Sequence, residues 1–418
     1  MSTSQTNTQR PNHAKPSFGL SPATIVTLAA LTAIAPLGID MYIASLPTIA
    51  EELHTTEAAA SMTLSAFMVG MALGQLIIGP LSDKTGRRTP LLIGSAVCFA
   101  ATALCAFSPT IEVFIAARFL MGFSGSVGAV LARSIVADTT KGLATAKLMG
   151  IMMMINGFAP VLAPLFGGWV LSWGTPSVFN VLTVITGALM LAVIFILRET
   201  LPAEKRYQGT ALSVYSEIPK VFRIRRYMGF SLTMCFAFGA LFSYISGSTF
   251  VLQKILGLDA GQYTLAFGVN SLGIVAMSSL ATALVGKVAQ RTIVNVGVSA
   301  LLVVSVLLTG SFLIGISLWP TLVLLFCLTC SVGLIFGNAS ALALNEARHM
   351  AGSASAVMGT IQALLGGVAA PLVSLGGEGA YLPMAFSILG FAVLTGITLF
   401  STPRKDSDYA ADGGVGGH

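Results

Sequence analysis

Twelve apolar stretches, each about 19 to 27 residues long, take up most of this chain and leave it one kind of fold. They run at about 23–49, 59–82, 90–108, 113–137, 148–171, 177–197, 227–253, 262–286, 293–314, 318–342, 354–376 and 380–401. At 1.5 Å per residue, each can cross roughly 30 Å of hydrocarbon as a helix, the form in which a backbone satisfies its own polar groups in lipid. A soluble domain carries about 25% charged residues; this chain carries 9%, with 55% hydrophobic residues and a mean hydropathy of +0.86. The expected class is an all-α membrane protein with 12 transmembrane helices.

The net charge of +6 raises the question of nucleic acid, and the placement of the basic residues answers it. Lys84, Arg87 and Arg88 follow span 2, and Lys141 and Lys147 follow span 4. Arg198, Lys205, Arg206, Lys220, Arg223, Arg225 and Arg226 follow span 6, Lys287 and Arg291 span 8, and Arg348 span 10. The opposite connections carry Glu51, Glu52, Glu57, Glu112, Asp259 and Glu378, with Lys254 as their single basic residue. By the positive-inside rule this pattern reports topology, with both termini expected in the cytoplasm and no nucleic-acid partner. The first apolar run is too long for a cleavable signal core and is expected to remain as an anchor. Cys98, Cys105, Cys235, Cys327 and Cys330 all fall within spans and read as small hydrophobes. The spacing of Cys327 and Cys330 comes without a neighbouring His or acid, so no metal is expected.

The longest internal connection mixes charge, Pro and Gly, and divides the spans six and six. The expected organisation is a cytoplasmic tail over 1–21, a six-helix bundle over 22–197, a central loop over 198–226, a second six-helix bundle over 227–402 and a polar tail over 403–418. Two such bundles fit repeats related by an axis along the membrane normal. A weak internal echo supports this: the run Gly79 to Arg88 after span 2 is answered by Ala283 to Arg291 after span 8, where the basic charge is kept and the acid is lost. Small residues recur at helix-packing spacing, as in Gly70 to Gly74 and Gly333 to Gly337.

Asp40 is the only carboxylate set deep inside an apolar run. An ionisable group at the centre of a lipid-spanning helix costs at least about 2.5 to 3.5 kcal/mol, so its presence points to a task. Asp40 lies roughly 15 Å from the acidic end of span 1, and Arg118, the deepest basic residue, roughly 9 to 12 Å from that end of span 4. The least costly arrangement turns both toward one polar cavity, paired directly or through water. The proton on such a carboxyl answers to whatever enters the cavity, which offers a way to couple protons to cargo. A purely structural ion pair is the alternative. Pro36 and Pro47 bracket Asp40 and either widen the cavity or only kink the span.

The connection with Gly79, Asp83, Gly86, Arg87 and Arg88 reads as a tight turn presenting a carboxylate beside two cations. Asp83 could meet a helix N-terminus while the arginines bridge to carboxylates or carbonyl ends, contacts that would form and break as the bundles move; a solvated positive loop is the plainer reading. In span 5, Gly157, Pro160, Pro164, Gly167 and Gly168 predict a bent helix, for function or for packing alone.

Taken together these residues resemble the major facilitator superfamily. Gly79 to Arg88 matches its loop signature GxxxDxxGRR, Ala117-Arg118-Phe119-Leu120-Met121-Gly122 its span 4 signature, and Ala159 to Gly168 its antiporter signature in span 5. The segments Pro36 to Pro47 (PLGIDMYIASLP), Glu199-Thr200-Leu201-Pro202 and His349 to Ser355 are similar to those of the bicyclomycin-resistance (Bcr/CflA) drug exporters. The resemblance implies a drug:proton antiporter of the bacterial cytoplasmic membrane, with Asp40 and Arg118 coupling protons, Asp83, Arg87 and Arg88 gating, and Pro160, Pro164, Gly167 and Gly168 forming the antiporter helix. One departure is Asn345 before Glu346, where relatives commonly carry an acid, which puts a second charge contact at that end in question.

The expected partners are a small, partly hydrophobic drug, protons and the lipid bilayer; the protein is expected to work as a monomer without a cofactor. Tyr42, Met68, Phe242, Tyr244, Asn270, Asn338 and Gln362 are candidate cavity residues, because aromatic, thioether and amide side chains accept varied shapes. A carrier for an endogenous metabolite, exporter or symporter, is the alternative within transport. An enzyme is disfavoured: His13, His54, His349 and His418 all lie outside the spans, and no acidic pair occurs at membrane depth.

Overall fold

The polypeptide forms helices wherever the apolar runs are long enough to cross lipid. The computed structural model describes residues 20–140, 148, 152, 162–163, 166–206, 218–285, 287–347, 351–375 and 381–404. Among these lie α1 (Pro22–Asp40), α2 (Leu46–Glu52), α3 (Glu57–Thr85), α4 (Arg88–Ala106), α5 (Ile111–Thr139) and α6 (Thr175–Ile196). They continue as α7 (Ile218–Phe222), α8 (Arg225–Thr249), α9 (Ala260–Leu284), α10 (Gln290–Ile314), α11 (Leu318–Glu346), α12 (Ala351–Ser374) and α13 (Leu382–Ser401). Eleven helical spans among the described residues are long and apolar enough to cross a membrane. Most of the expected span at 148–171 lies outside the described residues, including Gly157, Pro160 and Pro164.

Three helix starts carry side-chain caps. Ser21 accepts from the Thr24 amide, Thr56 from the Ala59 amide, and Asp259 forms a reciprocal capping box with Gln262. Within the helices, hydroxyls are quenched against carbonyls one turn back, as at Thr102 on Cys98, Ser305 on Leu301 and Thr395 on Phe391. A hydroxyl in lipid has few other partners.

Helices before Ile196 pack chiefly on one another, α3 on α5, α4 on α5 and α6, and α1 on α5 and α6. Those after Arg225 do the same, α8 on α11, α12 and α13, and α10 on α11 and α13. The α3–α5 crossing is held by close backbone approach: a Cβ at Gly70 would overlap the Phe119 carbonyl, and one at Gly122 the Phe67 carbonyl. Between the two groups the broadest seam runs along α3 and α12. There Gly366 touches Met68, Gly367 meets Val69, and Gly359 faces Gln75.

Span 1 departs from expectation in one respect. Pro36 sits inside α1 without ending it, and the break comes at Asp40, followed by a 3-10 turn at Ile43–Ser45 before Pro47 helps restart the chain as α2. Proline at the first turn of a helix loses nothing, since its missing N–H would have no partner there.

Candidate functional site

Arg118, on α5, is fully buried and draws the first group of helices together. Its Nη1 donates to the Gly38 carbonyl at 2.7 Å, in the last turn of α1, where carbonyls have no intrahelical partner. The guanidinium lies 4.1 Å from the Tyr42 ring centroid, 4.6 Å from that of Phe67 and 6.0 Å from that of Phe179. A cation enclosed by aromatic faces in a dry site gains about 2 kcal/mol per good contact. Tyr42 is fixed in turn by its hydroxyl on Thr63, at 2.8 Å, and by tilted packing on Phe179. Nε and Nη2 of Arg118 have no hydrogen-bond partner among the described residues.

Asp40 is buried at the end of α1, and the structure does not bring it into an ion pair with Arg118. The reason is helical geometry. Gly38 and Tyr42 lie one turn apart on the face that meets Arg118, whereas Asp40, two residues from each, projects about 200° away. Its carboxyl instead lies within electrostatic reach of Tyr244 and Tyr263, both from the second group of helices. The Tyr244 hydroxyl accepts from Asn270 Nδ2 at 2.8 Å, and that of Tyr263 accepts from Thr249 Oγ1 at 2.9 Å. Among the described residues Asp40 makes no hydrogen bond or ion pair.

Of the expected cavity residues, Tyr244 and Asn270 thus meet near Asp40, while Met68 and Phe242 meet around Gly366, together with Phe238. Tyr42 belongs to the Arg118 cluster instead. Asn338 is buried and bonds the Leu334 carbonyl of its own helix, and Gln362 is half-buried. Sequence reading missed Tyr263, although Tyr263, Phe267 and Asn270 recur at i, i+4 and i+7 along α9 and could have marked that face. It also missed Phe67 and Phe179, whose spacing carries no sign of a cation. Gly167 and Gly168 are described: a Cβ at Gly167 would overlap the Met41 carbonyl, and one at Gly168 would crowd Thr264 of α9.

The loop at the basic end is a compact cluster within the first group. The Arg87 guanidinium bonds Asp83 Oδ1 at 2.5 Å, Ser82 Oγ at 2.7 Å and Asp138 Oδ2 at 2.8 Å. Arg88 reaches the Ile194 carbonyl at the end of α6. Asp83 caps no helix, because α3 runs on to Thr85 and leaves it one turn from Arg87. The N-terminus of α4 is met by Glu199, whose carboxylate accepts from the amides of Arg87, Arg88, Thr200 and Leu201. Burial pushes the Glu199 carboxyl up, but these four amides outweigh it and hold it below the usual range. Gly86 allows this approach: its φ is +95°, and a Cβ there would strike Glu199. Gly79, in contrast, has open space around it.

The second group repeats the theme with different partners. Arg291, the counterpart of Arg87 in the internal echo, donates to the carbonyls of Thr402 at 2.7 Å and Pro403 at 2.9 Å, beyond the end of α13. Carbonyls there stand in for the lost acid. The charge contact placed in question by Asn345 is present, with Arg226 Nε on Glu346 Oε1 at 2.9 Å.

Long apolar helices in two groups, with a buried acid at the end of α1 and a buried arginine on α5, define a polytopic membrane carrier. The chain belongs to the Major Facilitator Superfamily, whose model matches residues 28–371. A Bacillus subtilis (strain 168) protein described as the uncharacterized MFS-type transporter YdgK is 35% identical over 384 residues, 90% of this chain and 94% of its own. The bicyclomycin resistance protein homolog of Haemophilus influenzae is 26% identical over 372 residues, 89% of this chain and 94% of its own. The multidrug resistance protein MdtL of Escherichia coli O157:H7 is 28% identical over 334 residues, 80% of this chain and 83% of its own. Among solved structures, a D-xylose–proton symporter superposes with a TM-score of 0.69 at 15% identity, over 93% of this chain and 99% of that one. At that identity it attests the fold alone.

Proposed function

We propose that this carrier is a proton-coupled exporter of small, partly hydrophobic antimicrobials of the bicyclomycin or amphenicol kind. It would sit in the bacterial cytoplasmic membrane as two six-helix bundles with both termini in the cytoplasm. The observation that carries the reading is Asp40: a carboxyl buried at the end of α1, without a hydrogen bond or ion pair among the described residues, whose charge is felt by Tyr244 and Tyr263 of the second group of helices. A group so placed can hold a proton while one side is open and release it when the other opens, so the proton gradient drives cargo outward. The names of the Haemophilus and Escherichia relatives support a drug as cargo. Arg118 would act from within its aromatic box by holding the end of α1, and with it Asp40, in place. Met68, Phe238 and Phe242 would offer cargo an apolar, adaptable wall.

The test is drug flux in proteoliposomes under an imposed pH gradient, with wild type and Asp40→Asn side by side. Wild type should move drug against the direction of proton flow, and the variant should bind drug but lose gradient-driven movement. Uptake of drug together with protons would make the protein a symporter, and normal gradient-driven export by Asp40→Asn would sink the assignment.

A further inference from the structure

Lys254 is the single cation among the acidic connections, and the fold puts it to use. Just beyond Asp40 the chain passes through the 3-10 turn at Ile43–Ser45, whose Ile43 and Ala44 carbonyls accept hydrogen bonds from the second group of helices. Facing it, α8 gives way to a π turn over Phe250–Ile255. In a regular α-helix a residue five positions on lies about 140° around the axis. A turn widened to i→i+5 bonding narrows that angle and brings Thr249, Gln253 and Lys254 onto one face. All three then reach the first group of helices. Thr249 Oγ1 donates to the Ile43 carbonyl at 3.3 Å, and Gln253 Nε2 to the Ala44 carbonyl at 3.3 Å. Lys254 Nζ lies 3.1 Å from Glu51 and 3.6 Å from Glu57.

From this geometry we infer that Thr249, Gln253 and Lys254 form a latch that holds the acidic end of the carrier closed, with Lys254 as its ionic bolt between Glu51 and Glu57. The inference rests on the alternating-access reading and adds to it the residues that must part when that end opens. Glu51 is the nearer partner, and Glu57 the better shielded from solvent, its side chain 18% exposed against 69% for Glu51. Thr249 Oγ1 also lies 2.9 Å from the Tyr263 hydroxyl, its one hydrogen serving either Tyr263 or the Ile43 carbonyl, so the latch shares a residue with a tyrosine that feels the charge of Asp40. Closure and the proton site are therefore joined through one hydroxyl and through the few residues between Asp40 and Ile43.

The test is a distance measurement that needs no cargo. Nitroxides are placed at the acidic end on Glu52→Cys and Ser317→Cys, in a background with the native cysteines replaced. Pulsed electron resonance in detergent then reports short, closed and long, open populations. Lys254→Glu sets three carboxylates together and should raise the open-to-closed ratio about tenfold, the size expected when a partly exposed pair is lost and repulsion replaces it. Adding Glu51→Lys returns a cation between two carboxylates and should restore most of the closed population. Unchanged distances in Lys254→Glu would overturn the latch. So would failure of the charge swap to restore closure while Lys254→Met, which keeps the stem without the charge, behaves as wild type. Because these distances are independent of flux, a failure of drug export in the wild type would strike the proposed cargo and leave this result standing.

Discussion

Replacing Glu199 should loosen the loop at the basic end without touching any span. The carboxylate takes four main-chain amides, two of them at the start of α4. Loss of a helix cap costs about 0.5–2 kcal/mol, and bonds to a charged acceptor count for more. The side chain is 29% exposed, so water takes over part of the freed amides and screens the charge; about 2 kcal/mol for the set in Glu199→Ala is a discounted figure. That is roughly a 30-fold shift in local opening. Hydrogen exchange followed by mass spectrometry should show it as faster exchange confined to about residues 82–92 and 199–202. Glu199→Gln keeps an acceptor oxygen and loses the charge at the helix end, for about 0.5–1 kcal/mol and a two- to fivefold change. The sign with pH follows from a carboxyl held below its ordinary value. Its contribution is whole above the unfolded pKa near 4.3 and is lost as pH falls through the lower folded value. Protection in the wild type should therefore be flat down to about pH 5 and decline below about 4.3, whereas Glu199→Gln should show no such decline. Wild-type exchange rates in Glu199→Ala would refute the capping argument.

Two further outcomes test the packing. Arg87→Ala strands Asp138 and Asp83, and breaking a largely buried pair costs about 3 kcal/mol, the lower end of its range because Asp138 is partly exposed. Thermal unfolding in detergent should show that Asp138→Asn costs little once Arg87 is gone; fully additive losses would mean that the two residues act separately. Gly122→Ala drives a methyl group into the Phe67 carbonyl and should destabilise by about 1–3 kcal/mol. Gly79→Ala, one helix away with nothing within reach, should be neutral or gain up to about 1 kcal/mol from helix propensity, and equal melting of the two variants would contradict the close approach.

The spans were legible because lipid sets their length. Hydropathy placed the ends of α3, α5, α8 and α10 within a few residues, and Ser21, Thr56 and Asp259 mark starts by side-chain chemistry that any reader of caps can see. The interruption after Asp40 was not legible, since Met41 to Ser45 is as apolar as its flanks and a 3-10 turn leaves no mark on hydropathy. Arg118 is legible as a deep cation, and its direct pairing with Asp40 is not formed: an ion pair can be guessed from two charges, whereas enclosure by Tyr42, Phe67 and Phe179 depends on how separate helices are turned. Glu199 lies over a hundred residues from the amides it caps, and nothing local in its surroundings announces them. Arg226 and Glu346 meet across a similar gap in sequence, and the acid at 345 that seemed to matter is not needed for that contact.

The seam between α3 and α12 sets glycine faces against the thioether of Met68 and the amide of Gln75, with Val69 between them. Dispersion across such a surface is lost and regained almost continuously as it slips, and an unbranched thioether re-forms its contacts in many rotamers. A small displacement along it meets little friction, unlike the interlocked backbones of α3 and α5, which must travel as one piece. In the alternating-access reading proposed above, the seam thus has the makings of a bearing, a surface along which the two helix groups would stay in touch as the ends of the molecule part and close.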